Sequence, residues 1–272
     1  MLAGRATRLA QYLSGAEKEY EAVIRLGYAT DTGDVTGKRL ECEEDLTAVT
    51  RRAQSLRRED IETALASLRG DIEQIPPMYS AKKIAGQKLY ELARRGEEVE
   101  RKSVCVTVSE FEAIAPGGPL LTPERDGDHD LKVRVVCSAG TYIRMLAEDF
   151  GRCLGLGAHV VSLRRTRAGA FTIAEALTLE RLSELAESFL LETALISCDA
   201  AIAHLPAVNL RGDDVSRTLH GIDVRIEDAD ASQWPNGQAV RMRADGGDLI
   251  AVGIYNESRG TIHPRAVIAN SE

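Results

Sequence analysis

An aromatic residue and a fixed cation stand two positions apart where a strand gives way to a helix. Tyr142 and Arg144 end the run Cys137-Ser138-Ala139-Gly140-Thr141-Tyr142-Ile143-Arg144. The ring of a tyrosine offers a face for stacking, and a planar guanidinium holds an anionic group through paired hydrogen bonds. The run therefore predicts half of a ligand site, in which a ring and a positive charge meet a ligand.

The spacing of the apolar residues before and after this run predicts the strand and the helix that flank it. From Leu131 to Val135 apolar residues alternate with Lys and Arg, which is the period of a half-buried strand. Gly140 permits the tight turn that ends the strand. Thr141 is the predicted N-cap of the next helix, whose apolar residues recur at helical spacing over 142–154.

Composition limits the classes of protein to which the chain can belong. Its 272 residues, 44% of them hydrophobic, suffice for one substantial core and a small second domain. No apolar run has the length a bilayer needs, and Arg5 and Arg8 interrupt any signal-peptide pattern. The five cysteines and five histidines are scattered, without a C-x-x-C pair. We expect a reduced cytoplasmic protein with no metal, no other cofactor and no membrane association.

The net charge of −8, taken alone, argues against a nucleic-acid-binding protein. Basic residues are nevertheless concentrated in a few places: Lys82-Lys83, Lys88, Arg94-Arg95 and Arg164-Arg165-Thr166-Arg167. A local basic face can bind phosphates on an acidic protein, although each cluster by itself is equally typical of a solvated surface.

Strands and helices alternate without a repeating βαβ rhythm, which favours the α+β class. Strands are predicted near 20–27, 103–111 and 159–165, and helices near 61–68, 89–93 and 177–190. After Pro206, short apolar runs separated by Gly, Asp and Asn predict a small β-barrel. The predicted domains are therefore 1–205 and 206–272.

Short motifs follow one another in a characteristic order: Gly4-Arg5-Ala6-Thr7-Arg8, Lys18-Glu19-Tyr20, Thr30-Asp31-Thr32-Gly33-Asp34, Pro76-Pro77-Met78-Tyr79-Ser80-Ala81-Lys82-Lys83, Leu89-Tyr90-Glu91, Cys137 to Arg144, Gly157-Ala158-His159 and Leu163-Arg164-Arg165-Thr166. Together they resemble the tRNA pseudouridine-55 synthase family, TruB, from about Gly4 to Leu177. The region after Pro206 resembles the family's PUA-like domain more weakly. This resemblance implies a mixed, mainly antiparallel catalytic sheet with flanking helices.

The resemblance also implies a reaction. A uridine at position 55, in the T-loop of tRNA, is flipped out of its stack, its N-glycosidic bond is broken, and the base is reattached through carbon 5. The implied protein is an isomerase that binds the T-loop and elbow of tRNA, works without a cofactor or metal, and is a monomer.

Four residues of this sequence match pocket residues of the family. Tyr20 matches the tyrosine that packs against the target base and takes part in proton transfer, and Tyr142 matches a second pocket tyrosine. Arg144 matches the arginine that pairs with the catalytic aspartate, and Leu163 matches a residue that lines the pocket. On pattern alone, Tyr20 equally fits a strand residue buried against a helix, and Arg144 a solvated side chain.

The family's catalytic motif, Gly-His-Thr-Gly-x-Leu-Asp-Pro, would precede Gly4 and is not among these residues. Asp31 and Asp34 belong to a different family motif. We therefore expect a member truncated at its N-terminus, with an unpaired sheet edge, an Arg144 left without a partner, and low activity or stability. The alternatives are a non-catalytic tRNA-binding protein and an inactive fragment.

Overall fold

The structure is a computed structural model, and it describes residues 1–40, 46–84, 86–97, 99–115, 119–124, 128–226 and 234–269. The helices are α1 (Ala10–Ser14), α2 (Leu46–Ser55), α3 (Arg58–Ser67), α4 (Leu89–Arg94), α5 (Ile143–Cys153), α6 (Leu179–Glu187), α7 (Cys198–Ala201) and α8 (Asp213–Leu219). The strands are β1 (Lys18–Leu26), β2 (Gly70–Gln74), β3 (Lys83–Ile84), β4 (Gln87–Lys88), β5 (Val104–Ala113), β6 (Leu121–Pro123), β7 (His129–Cys137), β8 (Ala158–Ala168), β9 (Phe171–Thr172), β10 (Ala207–Leu210), β11 (Val224–Arg225), β12 (Ala239–Ala244), β13 (Leu249–Asn256) and β14 (Thr261–Val267). Within these ranges, none of the helices has the length and apolar character that a bilayer crossing requires.

The chain divides into two compact units. The central unit is Ala16–Ala176, and the terminal unit combines Met1–Gly15 with Leu177–Glu272. Both units mix helices with largely antiparallel sheets, so the predicted α+β class is confirmed. The boundary predicted at Leu205-Pro206 falls inside the terminal unit, and it stays a prediction about domain organisation.

A seven-stranded antiparallel sheet forms the central unit, in the order β2-β5-β7-β1-β8-β9, with β6 also paired to β7. Strand β1 lies in the middle, where Ala22, Ile24 and Leu26 alternate towards the core. Helices α3 and α5 add apolar side chains to the same core, among them Leu65 and Phe150. One face of the sheet therefore packs against these helices and forms the core of the unit.

The opposite face of this sheet carries charged side chains. Arg25 donates to both carboxylate oxygens of Asp130, at 2.7 and 2.9 Å. Arg134 binds Glu19 at 2.9 Å and also contacts Glu110. An antiparallel sheet with one buried and one polar face produces the alternation of buried and more exposed residues seen over 22–26 in β1 and 131–135 in β7.

Strand β8 is long, and part of its outer edge is open. Its inner edge pairs with β1 along its length, whereas β9 pairs only with Arg167 and Ala168. A bridge to Asp34 occupies the outer edge at Val160. In the described part of the chain, no strand pairs with that edge over 161–166.

The terminal unit contains a five-stranded sheet in the order β10-β12-β13-β14-β11, with β10 parallel to β12 and the other pairs antiparallel. The strands predicted after Pro206 are thus confirmed. The start of the chain packs on the same unit, because Leu9 is fully buried with Ile202, Val252 and Ala266. Arg8 donates to the carbonyl of Val267 at 2.7 Å.

Candidate functional site

Tyr20 and Leu163 share one face of the central sheet. Tyr20 lies opposite Arg165 in the register of β1 and β8, and Ala22 lies opposite Leu163. Directly opposed residues point to the same face, so Tyr20, Leu163 and Arg165 all project from the face that carries the core. Tyr20 packs at the margin of that core, while Leu163 is 46% exposed. The result is an aromatic and apolar rim beside the open edge of β8.

The strand-to-helix junction forms as the sequence predicts. Strand β7 ends at Cys137, Gly140 takes the left-handed conformation at φ +90°, and α5 begins at Ile143. The predicted cap is wrong. Thr141 Oγ1 donates to the carbonyl of Ser138 at 2.9 Å inside the turn, and Tyr142 is the N-cap residue, without a side-chain cap of its own.

Gln74 lies outside the sequence motifs, yet it supports the main chain of Tyr142. The Gln74 side chain is buried, its Oε1 accepts from the backbone N–H of Tyr142 at 2.9 Å, and its Nε2 donates to the Tyr142 carbonyl at 3.3 Å. The available signal was a polar residue at a strand end, directly before Ile75-Pro76-Pro77.

Arg144 projects from the first turn of α5 and joins two loops. Its Nη1 donates to the carbonyl of Thr32 at 3.3 Å, and its Nη2 donates to the carbonyl of Tyr79 at 2.8 Å. Arg144 therefore has hydrogen-bond partners, although the sequence predicts an arginine that lacks its carboxylate. These carbonyls hold the guanidinium in place, and no carboxylate of the described residues forms an ion pair with it.

Glu148 lies one turn after Arg144 on α5. Burial raises the pKa of the Glu148 carboxyl, and the charge of Asp149 raises it further, against the opposing charges of Arg152 and Arg144. A half-buried carboxyl of raised pKa next to an arginine is the type of group that active sites collect.

The loop that contains Thr32 is anchored on β8. Val35 N–H donates to the carbonyl of Val160 at 2.9 Å, and Val160 N–H donates to the carbonyl of Gly33 at 3.0 Å. A Cβ at Gly157 would stand 2.5 Å from the backbone nitrogen of Ala29, so only glycine allows this approach.

Next to this loop, the Tyr28 ring contacts a tilted His159 ring and the guanidinium of Arg39. The rings of Tyr28 and His159 lie 4.4 Å apart, and the guanidinium of Arg39 lies 4.2 Å from the Tyr28 ring. His159 is fully buried with Nδ1 3.0 Å from the Tyr28 carbonyl. Burial lowers the pKa of His159, and the hydrogen bond to Tyr28 opposes this only in part. The Gly157-Ala158-His159 motif therefore positions the loop that holds Arg144.

A basic surface lies on the β3–β4 hairpin and α4. Lys83 and Lys88 are directly opposed across the hairpin, and Glu91 Oε1 lies 3.7 Å from Lys88 Nζ and offsets part of the repulsion between the two lysines. Lys88 Nζ and Arg94 Cζ lie 5.3 and 5.4 Å from the centroid of the Tyr90 ring. The described residues contain no cluster of three or more His, Cys, Asp or Glu side chains suited to a metal ion.

Two family models match most of the chain. The model described as TruB family pseudouridylate synthase (N terminal domain) matches residues 1–143, and the tRNA pseudouridylate synthase B C-terminal domain matches residues 144–203. The chain belongs to the TruB family. Tyr20 and Tyr142 lie in the first TruB match, and Arg144 and Leu163 lie in the second.

Curated relatives support the TruB assignment over almost the whole chain. The tRNA pseudouridine synthase B of Pseudomonas aeruginosa (strain UCBPP-PA14) is 41% identical over 268 residues, which cover 97% of this chain and 80% of the relative. The tRNA pseudouridine synthase B of Nitrosococcus oceani is 40% identical over 267 residues, with 97% and 79% coverage.

Solved structures show the same fold. A chain in the structure of an H/ACA RNP bound to a substrate RNA containing 2′-deoxyuridine has a TM-score of 0.66 and 20% identity, and the match covers 98% of this chain and 71% of that one. A chain of a Cbf5-Nop10-Gar1 complex has a TM-score of 0.63 and 22% identity, with 98% and 69% coverage. At these identities the likeness speaks for the fold of this TruB family member.

Proposed function

We propose that this protein isomerises uridine to pseudouridine in tRNA, at position 55 of the T-loop. The observation that carries the proposal is that Tyr20, Tyr142, Arg144 and Leu163 all lie in the central unit, where Lys18 of β1 pairs with Cys137 at the start of the strand-to-helix junction. Tyr20 packs against the same core cluster as Ile143 of α5, and Arg144 leaves that helix one residue later. The names of the curated relatives point to the same activity.

The proposed reaction balances without any oxidant or cofactor. The C1′–N1 bond of the flipped uridine breaks, the base turns, and a C1′–C5 bond forms. The hydrogen on C5 leaves as a proton and N1 gains one, so the product is an isomer of the substrate. The task of the protein is then to hold the base, exclude water and move protons.

Each pocket residue has a role that suits its environment. The ring of Tyr20 stacks on the flipped base and its hydroxyl takes part in the proton transfer at C5, while Leu163 forms an apolar wall. Tyr142 contacts the base from the start of α5. Arg144 is held in a fixed orientation by two carbonyls, ready to bind a carboxylate. The family's aspartate motif is not among residues 1–272, so no covalent step is assigned to a residue of this sequence.

The basic surface around Tyr90 is the proposed contact for the tRNA elbow. The opposed pair Lys83 and Lys88 gains stability when a phosphate lies between them, and Arg94 extends the positive charge along α4. We further propose that the protein acts as a monomer in the cytoplasm.

One experiment tests the proposal. The protein is incubated with a T-loop hairpin RNA that carries tritium at C5 of its uridines, and tritium release, pseudouridine content and filter retention are measured. We expect retention with a low rate of conversion, because no aspartate of residues 1–272 matches the family's catalytic motif, and a further loss of rate of about 10²-fold or more for Tyr20→Leu. Arg181→Gln, which removes an exposed α6 ion pair, is the control.

The outcomes separate the candidate functions. Retention of the RNA without conversion overturns the isomerase and favours a non-catalytic tRNA-binding protein. If the RNA is neither retained nor converted, the proposed function in tRNA is rejected altogether.

A further inference from the structure

We propose that Gln74 is a positioning residue of the uridine pocket, a role that rests on the proposed function. Its side-chain amide fixes the main chain of Tyr142, and through it the directions in which the Tyr142 ring and the Arg144 guanidinium project. Gln74 itself contacts neither the substrate nor a reacting atom.

The two hydrogen bonds between Gln74 and Tyr142 form a matched pair. The amide accepts from the Tyr142 N–H at 2.9 Å and donates to the Tyr142 carbonyl at 3.3 Å. Two bonds from one planar group fix an orientation as well as a distance. The same Tyr142 carbonyl accepts from Leu146 N–H at 3.1 Å, the first helical bond of α5. The amide is therefore connected directly to the start of the helix.

Burial makes this contact hard to replace. Gln74 is 2% exposed, and its backbone is held at the end of β2 by pairing with Val104 of β5. The side chain of Tyr142, the N-cap residue of α5, makes no capping hydrogen bond to the helix. Without the Gln74 amide, the Tyr142 N–H would lose its partner in a half-buried place where water is scarce.

The chain segment that follows Gln74 also contacts a pocket residue. Tyr79, five residues further on, offers its carbonyl to Arg144 Nη2. The segment 74–80 thus supports the main chain of Tyr142 at one end and the side chain of Arg144 at the other. A change at Gln74 should therefore affect the orientation of both pocket residues.

A change in the orientation of Tyr142 and Arg144 should lower kcat and leave the affinity for tRNA nearly unchanged. A misplacement of about 1 Å in a pocket can cost about 10²-fold in rate. The basic surface of the β3–β4 hairpin does not depend on the Gln74 amide. We expect Gln74→Met to lower kcat by about 10-fold to 100-fold while KM and tRNA retention change by less than about 3-fold.

A conservative variant gives a readout that a purely structural residue would not show. Ionised Glu at position 74 still accepts from the Tyr142 N–H but cannot donate to its carbonyl. A protonated Glu can do both. For Gln74→Glu, kcat relative to that of Gln74→Met should therefore rise as the pH falls from about 8 to about 5.

Hydrogen exchange tests the contact without the reaction. In Gln74→Met, amides of a peptide spanning 138–146 should exchange faster than in the parent protein. Gln238→Met is the matched control, because Gln238 also donates to a main-chain carbonyl but lies in the terminal unit.

Each result decides the inference. Unchanged exchange over 138–146 in Gln74→Met overturns it, as does unchanged kcat in an active protein. If Gln74→Met lowers both kcat and the thermal stability, and kcat of Gln74→Glu does not recover at low pH, Gln74 has only a structural role. If the parent protein binds RNA but converts none, the proposed function fails, and the exchange result alone decides the contact.

Discussion

Gly33 lies directly against Glu148. A Cβ added to Gly33 would stand 2.5 Å from Glu148 Oε1 and 3.2 Å from the Cβ of Arg144. Gly33 also has a left-handed backbone, at φ +65°. The loop after β1 therefore packs at Gly33 against the part of α5 that carries Arg144 and Glu148, and no side chain fits between the loop and the helix.

Gly33→Ala should lower both stability and turnover. The left-handed backbone costs about 1–2 kcal/mol for a residue with a Cβ, and the displaced Glu148 should shift the pocket as well. Gly70→Ala is the matched control, because Gly70 has φ +87° and nothing within 4 Å of its added Cβ. Denaturant unfolding and single-turnover rates should show a loss of rate in Gly33→Ala only. Equal rates in the two variants would refute a role for the Gly33–Glu148 contact.

The buried His159 predicts a loss of stability in acid. Burial lowers its pKa in the folded state, so the unfolded chain binds a proton first as the pH falls below about 6.5. Stability should therefore be full at neutral pH and fall by up to about 1.4 kcal/mol per pH unit below that value, until the folded protein also takes up the proton. His159→Asn should reduce this slope. His220→Asn, at an exposed histidine that also faces a carbonyl, is the matched control.

The ion pairs of Asp199 with Arg241 and Arg243 should stabilise the terminal unit. Burial alone would raise the pKa of Asp199, but hydrogen bonds and charges from Arg243 and Arg241 outweigh it, and the pKa lies below its usual range. Arg241 is 8% exposed. Asp199→Ala leaves this arginine buried without its anion and should cost about 3–5 kcal/mol in unfolding free energy. Asp214→Ala, at an exposed pair with Arg217, should cost less than about 1 kcal/mol.

The basic surface predicts the salt dependence of RNA binding. Replacing Lys88 and Arg94 by Gln removes both cations next to Tyr90. The affinity should fall, and the slope of log K against log salt should become shallower by about 1 for each phosphate that the protein no longer neutralises. Filter binding between low and high salt measures this slope. A parallel shift with an unchanged slope would place the phosphates elsewhere.

The elements that hold the pocket were predictable because their signals are local. Alternating apolar residues indicate β1 and β8, and helical spacing predicts α5 to within one residue at each end. The spacing Thr172-x-x-Glu175 is typical of a capping box, and the box forms, with Glu175 accepting from the Thr172 N–H at 3.2 Å. Each signal lies within a few neighbouring residues, where periodicity and capping determine the structure.

The contacts that orient the pocket were not predictable in the same way. Gln74 forms a hydrogen bond with Tyr142, and Arg144 forms one with Thr32, across large separations in sequence. Each bond involves backbone atoms of Tyr142 or Thr32, which do not depend on the residue type. The cap at Thr141 failed for a local reason, because its hydroxyl is used inside the turn by Ser138. Which side chains line the pocket stays a prediction from the sequence, whereas the contacts that hold Tyr142 and Arg144 in place could not be predicted from residue types.

The burial of Leu9 has a consequence for the order in which the chain folds. Leu9 is translated well before two of its partners, Val252 and Ala266, which lie far along the chain from it. Closing so long a loop is slow, since its entropy is lost before the contact repays it. The terminal unit therefore completes its packing only after translation of β14. Until then Leu9 remains an exposed apolar side chain that a chaperone can bind.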